Sequence, residues 1–192
     1  MHPDLAGHPD SVRWNARYQA KFIASFTVHP LVERALSMPL PAGPVLDLAC
    51  GPSGSTLRAA EAGRHVTAVD ISDVALDLLA REAARRGLTA LIDLVHADLS
   101  TWRPRTDGYA FVLAVGYWDR ALFAPAAASV AGSGLLAWEA FTDEARRIRP
   151  ALPAAWCLAE GEPASLLPPD FEVISQTDLP EAGKRRLLAR RR

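Results

Sequence analysis

The chain has 192 residues, a formal net charge of −1 at pH 7 and two cysteines. This length suits a single domain with a real core, so we expect one domain over residues 1–192. The near-zero charge provides no global field that would attract nucleic acid or a membrane. No apolar run reaches the roughly 18 residues of a membrane span. The N-terminus lacks the pattern of a signal peptide, which predicts a cytoplasmic protein, and the cysteine spacing predicts no metal site.

The first predicted element is a helix over residues 11–25. Trp14, Tyr18 and Phe22 follow one another at intervals of four residues and therefore share one face of that helix. Two interpretations stay open. Either the aromatic stripe packs on the body of the domain, or the helix is a lid over a bound ligand. In the second case Arg17 and Tyr18 are expected to contact that ligand.

The most informative motif follows, at residues 44–54, which read Pro-Val-Leu-Asp-Leu-Ala-Cys-Gly-Pro-Ser-Gly. An apolar strand that carries Asp47 breaks into a turn at Gly51, and a helix-forming segment comes next. This order brings backbone N–H groups and a helix N-terminus to face a ligand. A second apolar strand ends at Asp70, about twenty residues after the turn, where an acid suits the hydroxyls of a ribose. The motif therefore predicts a cofactor that contains a nucleoside.

From residue 44 onward, strands and helices alternate. This alternation predicts a doubly wound, Rossmann-like α/β fold with a largely parallel sheet. Seven strands are predicted at 44–49, 65–70, 90–95, 109–115, 135–141, 171–177 and 184–190, and helices at 54–62, 72–86 and 119–131. Residues 1–43 form an N-terminal helical segment, and residues 44–192 form the cofactor-binding core.

A carboxylate inside the first strand disfavours a pyrophosphate and suits a cofactor with a positive charge. The pattern Asp-x-Ala-x-Gly-x-Ser-Gly over residues 47–54 resembles the first motif, D/E-x-G-x-G-x-G, of the class I S-adenosylmethionine-dependent methyltransferases. Residues 47–51 look like the branch related to the tellurite-resistance methyltransferases, and residues 66–72, 97–99 and 132–136 give further matches. Ala49 and Ser53 stand where many members have glycine.

This resemblance implies that the last two strands form an antiparallel hairpin that completes a seven-stranded sheet. It also implies S-adenosyl-L-methionine as the cofactor. In that family pattern Asp70 binds both ribose hydroxyls, Asp98 binds the adenine amino group, and Ile71 and Leu99 sandwich the adenine. The expected cofactor-binding residues are Asp47, Ala49, Gly51, Ser53, Asp70, Ile71, Asp98, Leu99 and Val115.

In the same pattern the transferred methyl group points at the turn over residues 116–120. The catalytic candidates are Tyr117, Asp119 and Tyr18, and Asp119 is either a base or the N-cap of the next helix. This turn lacks the N/D-P-P-Y/F motif of methyltransferases that modify planar nitrogens. A small-molecule acceptor is therefore expected, selected by this turn and by the proline-rich connection over residues 142–170.

The predicted function is methyl transfer from S-adenosylmethionine to a small molecule, and three alternatives stay open. A sensor or partner subunit that binds the cofactor without turnover is compatible with the sequence. An NAD-dependent oxidoreductase is disfavoured by Asp47. An RNA methyltransferase is suggested only by the basic residues at 184–186 and 190–192, which better suit a solvated edge strand. The sequence does not set the oligomeric state.

Overall fold

The computed structural model describes residues 5–20 and 25–192. The helices are α1 (Pro9–Gln19), α2 (Pro30–Leu36), α3 (Gly54–Glu61), α4 (Asp73–Arg85), α5 (Arg120–Ala128) and α6 (Ala145–Ile148). The strands are β1 (Val45–Leu48), β2 (Val66–Asp70), β3 (Ile92–His96), β4 (Tyr109–Val115), β5 (Val130–Thr142), β6 (Cys157–Leu158), β7 (Phe171–Leu179) and β8 (Lys184–Arg191). The stripe residue Phe22 lies outside the described residues.

The strands form one sheet in the order β3-β2-β1-β4-β5-β8-β7. The pairs within β3-β2-β1-β4-β5 are parallel, whereas β8 is antiparallel to both β5 and β7. The predicted Rossmann-like sheet with a C-terminal antiparallel hairpin is confirmed. The two-residue strand β6, which pairs with the end of β5, was not predicted. The chain order reverses between β1 and β4, and ligands bind at the carboxyl ends of strands at such a point.

Both faces of the sheet are covered, which explains why its central strands are almost wholly apolar. On β4, Phe111 and Leu113 belong to one core cluster, and Val112 and Ala114 belong to the other, because successive side chains alternate between faces. Side chains of α2, α3 and α4 fill the first cluster, and side chains of α5 fill the second.

The boundary between α5 and β5 corrects the prediction. The helix ends at Ala128, not at 131, and β5 begins at Val130, not at 135. Ser129 closes the helix, because its N–H and its hydroxyl both donate to Ala126 O. Val130 then pairs with Tyr109 of β4, so tertiary strand pairing takes residues that local sequence assigns to the helix.

A buried ion cluster fastens the N-terminal segment to the sheet. Glu139 of β5 is fully buried and accepts from Lys184 Nζ and Arg186 Nε at 2.5 Å each, and from His29 Nε2 at 2.9 Å. His29 Nδ1 also accepts from Leu31 N–H at the start of α2, which places the imidazole proton on Nε2. Burial raises the pKa of Glu139, but these three donors outweigh it and hold that pKa well below 4.5.

Within residues 5–20 and 25–192, no helix has the length and apolar character needed to span a membrane.

Candidate functional site

A cavity of about 620 Å³ opens at the carboxyl ends of β1, β2 and β4, and we call it the edge cavity. Its walls come from α1, from the turns after β1 to β4, from the end of β5, and from residues 149–156. It lies at the switch point of the sheet, and its size falls within the roughly 300–1,000 Å³ of small-molecule sites.

Asp70, at the end of β2, forms one wall of the edge cavity. Gly51 N–H donates to its Oδ2 (2.7 Å) and Ser72 N–H donates to its Oδ1 (2.8 Å). Burial raises the pKa of Asp70, and these backbone donors oppose that shift. Each carboxylate oxygen keeps a second acceptor position, so the pair can still receive hydrogen bonds from a diol.

Asp98, after β3, lies on the same side of the edge cavity as Ile71 and Leu99. Its carboxylate accepts from Ser100 N–H (2.8 Å) and from Ser100 Oγ (2.5 Å), which fixes the loop after the strand. His8 Nε2 lies 3.7 Å from Asp98 Oδ2. Ala49 and Val115 also line this cavity, so six of the nine predicted cofactor-binding residues meet there.

The other three, Asp47, Gly51 and Ser53, are not among the described residues that line it. Asp47 is 2% exposed and accepts from Ser53 Oγ (2.7 Å) and Thr56 Oγ1 (2.6 Å). Ser53 Oγ also accepts from Thr56 N–H (3.0 Å) and so caps α3. Asp47 and Ser53 thus shape the turn from beneath, and burial raises the pKa of Asp47 to about 6.

The turn after β1 requires glycine at position 51 for two reasons. Its φ is +56°, and a Cβ there would lie 2.9 Å from Tyr18 Oη of α1. Ala49 also has a positive φ, +51°, although it carries a Cβ. Position 49, where many members of the resembled family have glycine, therefore has a left-handed backbone in this chain.

Helix α1 lies against the cofactor side of the edge cavity. Asn15 Nδ2 donates to Asp73 Oδ1 and Ser72 Oγ donates to Asn15 Oδ1, both at 2.6 Å, so α1 is joined to the N-terminus of α4. Trp14 and Tyr18 stack at 6.0 Å, and both line the cavity. Burial raises the pKa of Tyr18, which keeps its phenol neutral.

All three catalytic candidates, Tyr18, Tyr117 and Asp119, line the cavity. Asp119 Oδ1 accepts from Ala121 N–H (2.8 Å), so the predicted N-cap of α5 is present. Burial raises the pKa of Tyr117 and keeps it neutral. Trp138 Nε1 donates to Tyr117 O (2.9 Å), which holds the turn after β4.

Sequence reasoning missed part of the opposite wall. Arg13 and Phe141 line the cavity although neither was named as a site residue, and Arg149 and Trp156 come from the connection over residues 142–170 that was expected to select the acceptor. The Arg13 guanidinium lies 4.3 Å from the ring centre of Trp156 and 5.4 Å from that of Trp14. It joins α1 to the connection after β5, a contact that no local pattern indicates. Among residues 5–20 and 25–192 no cluster of three His, Cys, Asp or Glu side chains is arranged to hold a metal.

Three solved structures illustrate the similarity of the fold. An S-adenosylmethionine dependent methyltransferase from Mesorhizobium loti has 15% identity and a TM-score of 0.67, over 84% of this chain and 96% of its own. TehB from Haemophilus influenzae has 19% identity and a TM-score of 0.64, over 95% and 67%. Geranyl diphosphate C-methyltransferase from Streptomyces coelicolor A3(2) has 14% identity and a TM-score of 0.67, over 97% and 84%. At these identities the likeness shows the fold alone.

A family model also matches part of the chain. Residues 45–131 match the family described as "Methyltransferase domain", whereas no curated protein matches the chain. The matched range runs from the start of β1 to the start of β5 and carries Asp70, Asp98 and the turn after β4. It confirms the predicted cofactor, S-adenosyl-L-methionine. Residues 45–131, a little under half of the chain, are therefore similar to the methyltransferase domain that this family model describes.

Proposed function

We propose that the chain transfers a methyl group from S-adenosylmethionine to a small-molecule acceptor. One observation carries this proposal: one cavity is lined by two carboxylates at the ends of neighbouring strands, Asp70 and Asp98, and by an aromatic wall that includes Tyr117 and Trp156. The carboxylates suit a nucleoside, and the aromatic wall suits an organic acceptor.

The side chains present are compatible with the adenosine part of this cofactor. Asp70 faces the cavity with acceptor positions for two ribose hydroxyls, and Asp98 offers an acceptor for an amino group. Ile71 and Leu99 are apolar and line the same side, where they would flank a planar ring. Ala49 and Val115 line the approach to the turn after β4.

When bound, S-adenosylmethionine supplies an activated methyl group, and the broken S–C bond leaves its electron pair on sulfur as S-adenosylhomocysteine. The chain's own contribution is to hold the acceptor atom in line with that methyl group, which is worth roughly 7–11 kcal/mol for well-oriented reactants. Neutral Tyr18 and Tyr117 can orient polar atoms by hydrogen bonding. If the acceptor atom carries a proton, Asp119 Oδ2 or water receives it, because Asp119 Oδ1 caps α5.

The test uses purified full-length protein. Calorimetry is expected to show one site for S-adenosylhomocysteine and none for NADH. Transfer from methyl-labelled cofactor is then measured over thiols, metalloid oxyanions, phenols, carboxylates and amines. Binding of NADH alone contradicts the proposal. Cofactor binding without transfer to any class instead supports the sensor or partner-subunit alternative.

We also propose which branch of the methyltransferases the chain is near. The Asp-Leu-Ala-Cys-Gly motif at residues 47–51 and the shared fold with TehB support a position near the tellurite-resistance branch. We propose further that residues 1–43 and 44–192 act as one domain in the cytoplasm. The contacts of α1 with α4 and the Glu139 cluster support the single domain.

A further inference from the structure

Three arginines line the edge cavity at its mouth, and we call Arg13, Arg17 and Arg149 the rim arginines. All three are exposed. Arg13 Nη2 lies 2.9 Å from Asp10 Oδ1, so its charge already has a partner. Within the described parts of the chain, no carboxylate lies within 4 Å of the guanidinium of Arg17 or Arg149. The mouth therefore carries two positive charges that have no ion-pair partner among residues 5–20 and 25–192.

Aromatic rings hold the rim arginines in place. The guanidinium of Arg149 lies 4.9 Å from the ring centre of Phe141, and that of Arg17 lies 5.3 Å from that of Trp14. Stacking uses the face of a guanidinium and leaves its in-plane N–H groups available to an anion. These side chains are thus partly ordered before a ligand arrives, which lowers the entropic cost of binding one.

The wall behind the rim arginines is apolar and aromatic. Phe141, Trp156 and Tyr117 line it, and Trp118 is almost fully buried against Trp138 at 5.9 Å in an edge-to-face contact. The carboxylates Asp70 and Asp98 lie on the cofactor side instead. Two further carboxylates, Asp10 and Asp119, also line the cavity, but Asp10 pairs with Arg13 and Asp119 Oδ1 caps α5. Arg17 and Arg149 thus supply the positive charge beside this aromatic wall.

We propose that the methyl acceptor is a small aromatic anion. Its charged group binds Arg17 and Arg149 at the mouth, its ring packs on Phe141 and Trp156, and its methyl-accepting atom reaches toward Tyr117. This inference rests on the proposed methyl transfer and names its substrate class. The cavity volume of about 620 Å³ must also hold the cofactor, which limits the acceptor to a small molecule.

In this arrangement the charged group and the reacting atom are different parts of the acceptor. The reacting atom donates a lone pair to the methyl carbon while the S–C bond breaks toward sulfur, and any proton on that atom leaves to water or Asp119. The arginines then hold the anion without withdrawing electron density from the nucleophile. A separate site for the charge also fits the exposed position of both arginines.

The test is calorimetric titration of the protein saturated with S-adenosylhomocysteine, with trans-cinnamate and its neutral amide, cinnamamide, as probes. Cinnamate is expected to bind at least about tenfold more tightly, because two charge-assisted hydrogen bonds are added. Arg17→Gln and Arg149→Gln are each expected to weaken cinnamate about tenfold and to leave cinnamamide unchanged. Raising the salt concentration is expected to weaken cinnamate alone.

Arg147→Gln is the matched control, because Arg147 is exposed and pairs with Glu144 outside the cavity. The inference is overturned if both probes bind equally, if neither binds, or if Arg147→Gln has the same effect as Arg149→Gln. Failure of S-adenosylhomocysteine itself to bind is a separate result. It overturns the proposed function, and this inference with it.

Discussion

Asp47 was expected beside a cationic cofactor, but its carboxylate is occupied by two hydroxyls of its own turn. Ser53 and Thr56 both donate to Asp47 Oδ2, and Ser53 also caps α3. The hydroxyls six and nine residues after the acid were visible in the sequence. Their convergence was not, because it depends on how the turn folds back over the end of β1. The acid therefore supports the loop that forms the floor of the site.

The buried Asp47 predicts a pH-dependent stability. Burial raises its pKa from 3.8 to about 6 in the folded state. The folded state thus binds more protons than the unfolded state between these two pKa values. The stability that protonated Asp47 contributes is therefore fully present below pH 3.8 and is lost as pH rises through about 6. Between pH 5 and pH 8 this single group is expected to lower the free energy of unfolding by about 1.5 kcal/mol.

Asp47→Asn is expected to remove this pH dependence of the free energy of unfolding and to stabilise the protein more at pH 8 than at pH 5. Urea unfolding at both pH values measures this difference. Asp93→Asn is the control, because Asp93 is exposed on β3. An identical pH slope in Asp47→Asn and in the unsubstituted chain would contradict the assignment.

Asp70 is expected to contribute both to the affinity for the cofactor and to the stability of the folded protein. In Asp70→Ala two ribose hydrogen bonds are lost, so affinity for S-adenosylhomocysteine is expected to fall about tenfold or more. Gly51 N–H and Ser72 N–H also lose their acceptor, so the free energy of unfolding is expected to fall by about 2 kcal/mol. Calorimetry and urea unfolding measure the two effects. Asp77→Ala, on the exposed face of α4, is expected to change neither.

Ala49 predicts a substitution that stabilises the chain. Its φ of +51° costs a residue with a Cβ about 1–2 kcal/mol. Glycine removes that strain but adds about 0.5–1 kcal/mol of unfolded-chain entropy, so Ala49→Gly is expected to stabilise by about 0.5 kcal/mol. Ala68→Gly, in the buried interior of β2, is expected to destabilise. Loss of stability in Ala49→Gly equal to that in Ala68→Gly would contradict the strain argument.

At the scale of elements, α1 is joined to the cofactor side at three points. His8 lies near Asp98, Asn15 bonds to Ser72 and Asp73, and Tyr18 lies over Gly51. Each contact is beside a residue expected to bind the cofactor. The lid interpretation of this helix, which the sequence left open beside simple packing, therefore leads to a measurable coupling between ligand and helix.

Amide hydrogen exchange in residues 9–19 is expected to slow when S-adenosylhomocysteine is added. Asn15→Ala is expected to speed exchange in this helix without ligand and to weaken binding severalfold, because both contacts to the start of α4 are lost. Gln19→Ala, at the exposed end of α1, is the control. Equal exchange with and without ligand would leave only the packing interpretation.

The elements that sequence predicted well are those with a local signal. The apolar run of β4 and the capped helix α4, with Ser72 at its N-cap and Gly87 past its end, were placed almost to the residue. The end of α5 was misplaced, because pairing of Val130 with Tyr109 overrides local helix propensity. Strand β6 has two residues, too few for any periodicity, and exists through its pairing with Phe141 and Thr142.

At the scale of the whole molecule, the cofactor side and the proposed acceptor side of the cavity differ in how well the sequence predicts them. The cofactor side was predictable, because acids at the ends of successive parallel strands meet at one edge of the sheet. For the proposed acceptor side, the sequence indicated the connection over residues 142–170 but not which of its side chains line the cavity. The positions of Arg149 and Trp156 depend on packing against Phe141 and α1. Only the folded chain brings these distant segments together.

The C-terminal basic residues bear on the nucleic-acid alternative. Lys184 and Arg186 pair with the buried Glu139, Arg185 pairs with Asp178, and Arg191 contacts Asp107 and Asp170. Their charges are therefore largely neutralised within the fold. A polyanion needs a face of unneutralised cations whose binding weakens steeply with salt.

We therefore expect no salt-dependent complex with tRNA or duplex DNA in a gel-shift titration between about 50 and 200 mM salt. Among the described residues, Arg190 and Arg192 have no ion pair. The Arg190 guanidinium donates to Pro39 O and Ser133 O, which holds it against the chain, and Arg192 is one exposed charge. Deleting residues 190–192 is accordingly expected to leave the titration unchanged. Tight binding at low salt that this deletion abolishes would contradict the small-molecule proposal and favour an RNA substrate, because it would show that these cations face solvent and act together.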